Sequence, residues 1–209
     1  HIGVAMGKRG TDVAKEASRL VLLDDSFPTL VNAIEEGRTI YTNLKKTVYS
    51  SLTTNIAELV LVLFGLIGVA LWNYPIPILA VQVLAIDLIG EIMPLTFLTF
   101  DPPTKGVMIS PPRSSKEHIV NRRSTTEFIF LGLLIGGLAF TNFLIFMHRE
   151  GLTLNVNDTN ILPYFQVTAL AYATIVFCQY INILEWRYDH TTLFNRNIFT
   201  NKILLASIV

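Results

Sequence analysis

Cysteine occurs once in this 209-residue chain, histidine four times, and no excess of either charge exists: 16 Lys and Arg stand against 16 Asp and Glu. The single Cys178 lies in an apolar run, which excludes a disulfide framework and a thiolate metal site. His1, His118, His148 and His190 fall at a terminus or in polar segments and form no ligand cluster. Without net positive charge there is no electrostatic footprint for a phosphate backbone, so nucleic acid is not an expected partner. What is abundant is hydrocarbon. Hydrophobic residues make up 51% of the chain and the mean hydropathy is +0.49, which puts the lipid bilayer in place of those partners.

A span needs about 20 predominantly apolar residues. Four complete segments of that kind are expected near residues 50–72, 76–100, 126–147 and 161–185, with the start of another at 203–209. The opening His-Ile-Gly-Val-Ala-Met-Gly and the apolar end make the chain read as a piece of something longer, without a signal peptide. Basic residues sort the loops. Arg38, Lys45 and Lys46 precede the first span; Lys105, Arg113, Lys116, Arg122 and Arg123 follow the second; Arg187, Arg196 and Lys202 follow the fourth. The intervening loops hold only Arg149 between them. Positive charge is retained on the cytoplasmic side, so residues before about 50 are expected in the cytoplasm of a multi-pass protein, in a plasma or inner membrane. Asn157-Asp-Thr159 formally fits a glycosylation acceptor, a match common by chance.

The polar start has its own pattern. Ile2–Met6 and Leu20–Leu23 read as strands around a helix-like Thr11–Ser18, with Thr11 as cap. Asp24 and Asp25 suit a surface turn better than a magnesium site. Ser26 and Pro28 then announce a helix. Apolar Leu30, Ile34, Ile40, Leu44 and Val48 extend its pattern, so a single rod is expected to run from the soluble part into the membrane.

Within the first two spans stand groups that lipid tolerates poorly: Asn55 and Glu58, then Asp87 and Glu91. A charge near the bilayer centre costs at least about 2.5–3.5 kcal/mol, so three such acids point to a buried cation or proton site. Counted from Tyr49, Glu58 lies about 14 Å deep; counted from Ile76 on the other side, Asp87 lies about 16 Å deep. In a core about 30 Å thick the two levels meet. Pro94 cannot donate to the carbonyl of Gly90, which frees an acceptor beside Glu91. Broken helices with loose carbonyls recur at transporter ion sites. Such oxygen donors suit sodium, potassium, calcium or protons and disfavour soft metals. Asn55 alone fits interhelical packing as well as ligation, and so does the Gln179 and Asn182 pair in the fourth span.

These residues carry a resemblance. Gly3-Val-Ala-Met-Gly7, Gly10-Thr-Asp-Val-Ala-Lys-Glu-Ala-Ser18, Val21-Leu-Leu-Asp-Asp25 and Ile34-Glu-Glu-Gly-Arg38 are similar to the end of the phosphorylation domain of type II P-type cation-transporting ATPases, the calcium or sodium/potassium pump kind. The likeness continues through Tyr41, Asn43, Lys45, Lys46, Asn55, Glu58, Ile86-Asp-Leu-Ile-Gly-Glu-Ile-Met-Pro94 and Asp101-Pro-Pro103. It implies a mainly α membrane protein with two parts. Residues 1–27 would close the HAD-like phosphorylation domain as a strand–helix–strand remnant. Residues 28–209 would be the stalk helix and a bundle of four complete transmembrane helices plus the start of a fifth. It further implies that Asn55, Glu58, Asp87 and Glu91 occupy metal-ligand positions for the transported cation. Gln179, with Asn182, would match an eighth-helix position of sodium/potassium pumps. Gly90, Pro94 and the Asp101, Pro102, Pro103 loop would serve coupling, the loop touching the phosphorylation domain.

The resemblance assigns the phosphorylated aspartate, and the sites for ATP and Mg²⁺, to phosphorylation, nucleotide and actuator domains upstream, so no catalytic residue is expected here. For the cargo it leaves Ca²⁺ and Na⁺/K⁺ open. Calcium pumps usually carry asparagine and aspartate where Asp87 and Glu91 stand, whereas sodium/potassium pumps carry two acids; those pumps also often have proline where Ala57 stands. The expected function is ATP-driven cation transport by the complete protein, a translocating enzyme. The alternative is a non-enzymatic membrane module, a passive channel or carrier or a catalytically dead pump relative.

Overall fold

The computed structural model describes residues 2–104, 106–112, 118–149, 161–187 and 199–208, and the Asn157 acceptor and His190 lie outside them. The chain divides into two compact units, His1–Thr42 with Pro102–Arg113 and Asn43–Asp101 with Ser114–Val209.

In the first unit, strands β1 (Val4–Met6) and β2 (Leu20–Leu22) pair in parallel, Val4 opposite Leu20 and Met6 opposite Leu22, joined through helix α1 (Asp12–Ala17). This is the expected strand–helix–strand order, each element a little shorter than its apolar run. Thr11 caps α1, its hydroxyl accepting from the Ala14 amide at 3.3 Å. The two aspartates close the turn after β2. Asp25 takes a left-handed φ of 58° and accepts from the Lys8 and Arg9 amides at 2.8 and 2.9 Å. Asp24 accepts from the Ser26 amide and the Thr29 hydroxyl, at the start of helix α2 (Phe27–Trp72). Later in the same unit the Arg38 guanidinium donates to the carbonyls of Val107 and Ser110, both at 2.8 Å.

Helix α2 continues unbroken into the second unit, as the single rod expected from the sequence. It is followed by α3 (Ala80–Ala85), a π-helical segment (Ile86–Glu91) and α4 (Ile92–Leu98), then α5 (Arg122–Arg149), α6 (Ile161–Trp186) and α7 (Lys202–Ile208). Four stretches, Phe27–Trp72, Ala80–Leu98, Arg122–Arg149 and Pro163–Trp186, are long and apolar enough to cross a membrane. The second begins four residues later than its apolar run suggests. Pro75 and Pro77 disfavour helical backbone before them, and the Gln82 side chain accepts from the Leu79 amide at 2.9 Å to start α3 only there.

The core of this unit is apolar: Leu61, Ile86, Ala139, Phe143, Ala171 and Ile175 are all fully buried. Two glycines let α5 lie against α2. A Cβ on Gly136 would fall 2.5 Å from the Ala57 carbonyl oxygen, and one on Gly132 would fall 2.5 Å from Ile56 Cγ2. Small residues at such spacing draw membrane helices into backbone contact, where lipid gives no hydrophobic drive for association. The outward faces carry Leu59, Leu63, Leu66, Phe130, Leu133 and Leu138, all exposed, as a lipid-facing surface requires. Near one end Tyr49 packs on Trp186 and Phe128 with ring centroids 5.1 and 6.0 Å away.

Gly136→Ala is expected to lower the detergent-solubilised thermal midpoint, because overpacking against backbone costs about 1–3 kcal/mol. Gly137→Ala, whose added Cβ meets nothing within 4 Å, is expected to leave it unchanged. In the first unit, the Lys8 amide holds the Asp25 carboxyl below its usual range, aided by Arg9. A depressed carboxyl stabilises the fold above its unfolded pKa, and that contribution is lost as pH falls through the folded one. Hydrogen-exchange protection of the Lys8 and Arg9 amides should therefore drop below the normal aspartate range, and at neutral pH in Asp25→Ala.

Candidate functional site: buried acids at a π-helical segment

The site begins with a backbone fault. Pro94 has no N–H for the Gly90 carbonyl, and the chain responds by widening into a π-helical turn over Ile86–Glu91 before resuming as α4. Such turns are uncommon and gather at functional sites. Asp87 and Glu91 both lie on this segment, Asp87 half-buried and Glu91 5% exposed. Helix α6 packs against it. The Gln179 amide oxygen lies beside Gly90, 3.7 Å from where a Cβ would sit, an ordinary contact distance.

Glu58 comes from α2 and is 6% exposed, within electrostatic reach of Asp87 and Glu91. Ser51, about two turns earlier on the same helix, lies beside the Glu91 carboxylate. Four buried atoms here have no hydrogen-bond partner: Glu58 Oε1, Glu91 Oε1 and both Nε2 and Oε1 of Gln179. Each such atom costs about 1–3 kcal/mol, so their concentration in one place calls for an explanation. Among the described residues no three His, Cys, Asp or Glu side chains close into a metal-holding cluster. Glu58, Asp87 and Glu91 lie within electrostatic reach of one another, and like charges there disfavour full ionisation of the set.

The remaining candidates are placed elsewhere. Asn55 is exposed, whereas Glu58, three residues further along the same helix, is buried. Asn182 is buried but engaged, its amide donating to the Ser50 carbonyl at 3.1 Å and the Ser50 hydroxyl at 3.2 Å, which is the packing role. Pro102 and Pro103 are exposed and belong to the first unit. Asp101 is turned inward and 7% exposed. Its carboxylate accepts from Arg187 Nε at 2.7 Å and Asn201 Nδ2 at 2.8 Å. Ser51, Arg187 and Asn201 were not legible as site residues. Only Asn201 carried a local signal, as the cap of α7, accepting from the Leu204 amide at 2.9 Å.

Helices long and apolar enough to cross a membrane four times define a class, the multi-pass integral membrane proteins. The comparisons give the family. A family described as "Cation transporting ATPase, C-terminus" matches residues 75–209, and the chain belongs to the cation-transporting ATPases. It is 38% identical to a "Calcium-transporting ATPase" of Bacillus subtilis (strain 168), over 100% of this chain and 22% of that protein. It is 33% identical to "Calcium-transporting ATPase 1" of Bacillus cereus, over 100% and 23%. With "Calcium-transporting ATPase type 2C member 1" of Homo sapiens it shares 34%, over 100% and 21%. The chain thus spans about a fifth of the length of the curated relatives it matches.

The different states of Gln179 and Asn182 give opposite expectations. Gln179→Leu removes two unpartnered buried atoms and should raise the thermal midpoint in cation-free buffer. Asn182→Leu breaks an interhelical bond of about 0.6 kcal/mol and should lower it. Differential scanning fluorimetry of the two variants in one detergent reads both signs.

Proposed function

We propose that this chain is the membrane part of an ATP-driven cation pump whose cargo is calcium, and that Glu58, Asp87 and Glu91 bind it with Gln179 beside them. The observation that carries this reading is a π-helical turn bearing Asp87 and Glu91 within electrostatic reach of buried Glu58, with unpartnered buried atoms on Glu58, Glu91 and Gln179. Carboxylate, amide and carbonyl oxygens suit a hard divalent ion, whose charge offsets acids that otherwise repel. The printed names of the relatives favour calcium over sodium or potassium. Asn55 joins the set only if another part of the complete protein covers its face.

The unbroken α2 supplies the mechanical idea. A helix 46 residues long carries Glu58, while Asp87 and Glu91 ride on a separate, irregular helix, so a tilt of α2 changes the distance between the acids. Loss of one carboxylate from the set lowers affinity and lets the ion leave. In this reading residues before about 50 are cytoplasmic. The phosphorylated aspartate and the ATP and Mg²⁺ sites belong to upstream phosphorylation, nucleotide and actuator domains of the same protein, and the Pro102–Pro103 loop couples them to the membrane.

The test is phosphoenzyme formation from labelled ATP by the full-length protein, with calcium, sodium, potassium, manganese or magnesium as the varied ion. Calcium-stimulated labelling that is at least 100-fold weaker in Glu58→Gln is the expected outcome. Labelling absent with every ion would leave a passive membrane module, and labelling unchanged in Glu58→Gln and Asp87→Asn would remove the site assignment.

A further inference from the structure

Outside the acid site, one other buried cluster of charge exists among the described residues of the second unit. Arg187, just past the end of α6, and Asp101, just past the end of α4, form an ion pair with side chains 2% and 6% exposed. Asn201, the cap of α7, donates through one amide to Asp101 Oδ1 at 2.8 Å and to the Phe97 carbonyl at 2.9 Å. Asn43 of α2 donates to the backbone carbonyls of Asp101 at 2.7 Å and Thr99 at 3.2 Å. Arg187 also reaches the Thr200 hydroxyl at 2.6 Å. One carboxylate and the last turn of α4 are thereby tied to three other helices.

A buried pair is a poor source of stability, because desolvation offsets its attraction and apolar residues of similar volume often do as well. What it fixes well is register. Of the helices tied here, α2 and α4, joined by the Asn43 bonds, are those that lead to the acids. Asn43 and Glu58 share α2, while Phe97 is six residues beyond Glu91, about 9 Å along a continuous short helix. The pin at Phe97, Thr99 and Asp101 therefore sets where the π-helical turn sits relative to Glu58.

We infer that Asp101, Arg187 and Asn201 form a latch of positioning residues that fixes the end of α4, the end Asn43 ties to α2, and so holds the two acid-bearing helices at the spacing the cation requires. The inference rests on the pump reading. None of the three touches the ion; they act through α4. Removing the latch lets α4 shift in register and rotation, so the carboxylates are presented at the wrong distance. Cation affinity then falls, while the chemistry upstream is untouched.

The experiment titrates calcium against phosphoenzyme formation by the full-length protein, normalised to folded protein by size-exclusion fluorescence. Asp101→Asn and Arg187→Gln should each raise the calcium concentration for half-maximal labelling at least tenfold, with the maximal level per folded molecule retained. The apolar double variant Asp101→Leu with Arg187→Met separates positioning from packing: it should match the parent in thermal midpoint yet keep the weakened calcium dependence. A double variant that is equally stable and has the parent's calcium dependence overturns the inference. Should the charge variants fail to fold, Asn201→Ala, which deletes one donor, carries the test. A threefold or larger shift supports the latch and an unchanged midpoint overturns it. A parent that forms no cation-stimulated phosphoenzyme overturns the pump reading and the inference together, whereas a responsive parent with unresponsive variants overturns the inference alone.

Discussion

Hydrocarbon offers no hydrogen-bond partner, and that one constraint orders everything in the membrane unit: each polar atom carried inside must be answered by the protein. Most are. Thr53, Thr54 and Thr174 return their hydroxyls to the carbonyl four residues back, Asn142 donates to Thr174, and Asn182 holds Ser50. The unanswered side-chain atoms therefore stand out by contrast, and most of them belong to Glu58, Glu91 and Gln179 around one irregular turn. Asn43 Oδ1 and Trp186 Nε1, near the far end of the bundle, complete the set among the described residues.

The same constraint explains why backbone faults are so few and so placed. A proline that removes one donor would be costly against lipid, yet Pro94 is buried, and the π-helical turn before it lies against α6. The local cost of the irregular turn is met by packing, and its product is a turn wide enough to bring Asp87, Gly90 and Glu91 to one neighbourhood. On the other side, glycines 132 and 136 press α5 onto the backbone of α2 just where Ala57 and Glu58 sit. Site geometry thus depends on backbone contacts several ångströms away from any acid.

At the opposite extreme of polarity stands the Asp101 and Arg187 pair, buried and fully engaged. Acids near Gln179 are exposed to one another and short of partners; the acid at the end of α4 is saturated with them. In the proposed reading the first arrangement takes up a cation and releases it, while the second holds α4 in place. Glu91 and Asp101 lie on either side of one short helix, α4.

Much of this was legible without coordinates. The spans, the single long α2, the strand–helix–strand start and the break at Gly90 and Pro94 follow from composition, periodicity and the chemistry of proline, all of which act over a few residues at most. The identity of the acids followed too, because lipid makes any buried charge conspicuous. Partner choice did not. Nothing in the spacing of Asn55, Asn182 and Gln179 foretold that Asn55 is exposed, that Asn182 bonds Ser50 and that the buried Gln179 amide lacks a partner. Those outcomes depend on the rotation of each helix about its axis and on contacts between residues up to 132 apart in sequence, as between Asn182 and Ser50. Local sequence determines that a helix forms and that it enters the membrane; only the tertiary packing, through close backbone contacts such as those at Gly132 and Gly136, decides which of its faces meets which neighbour.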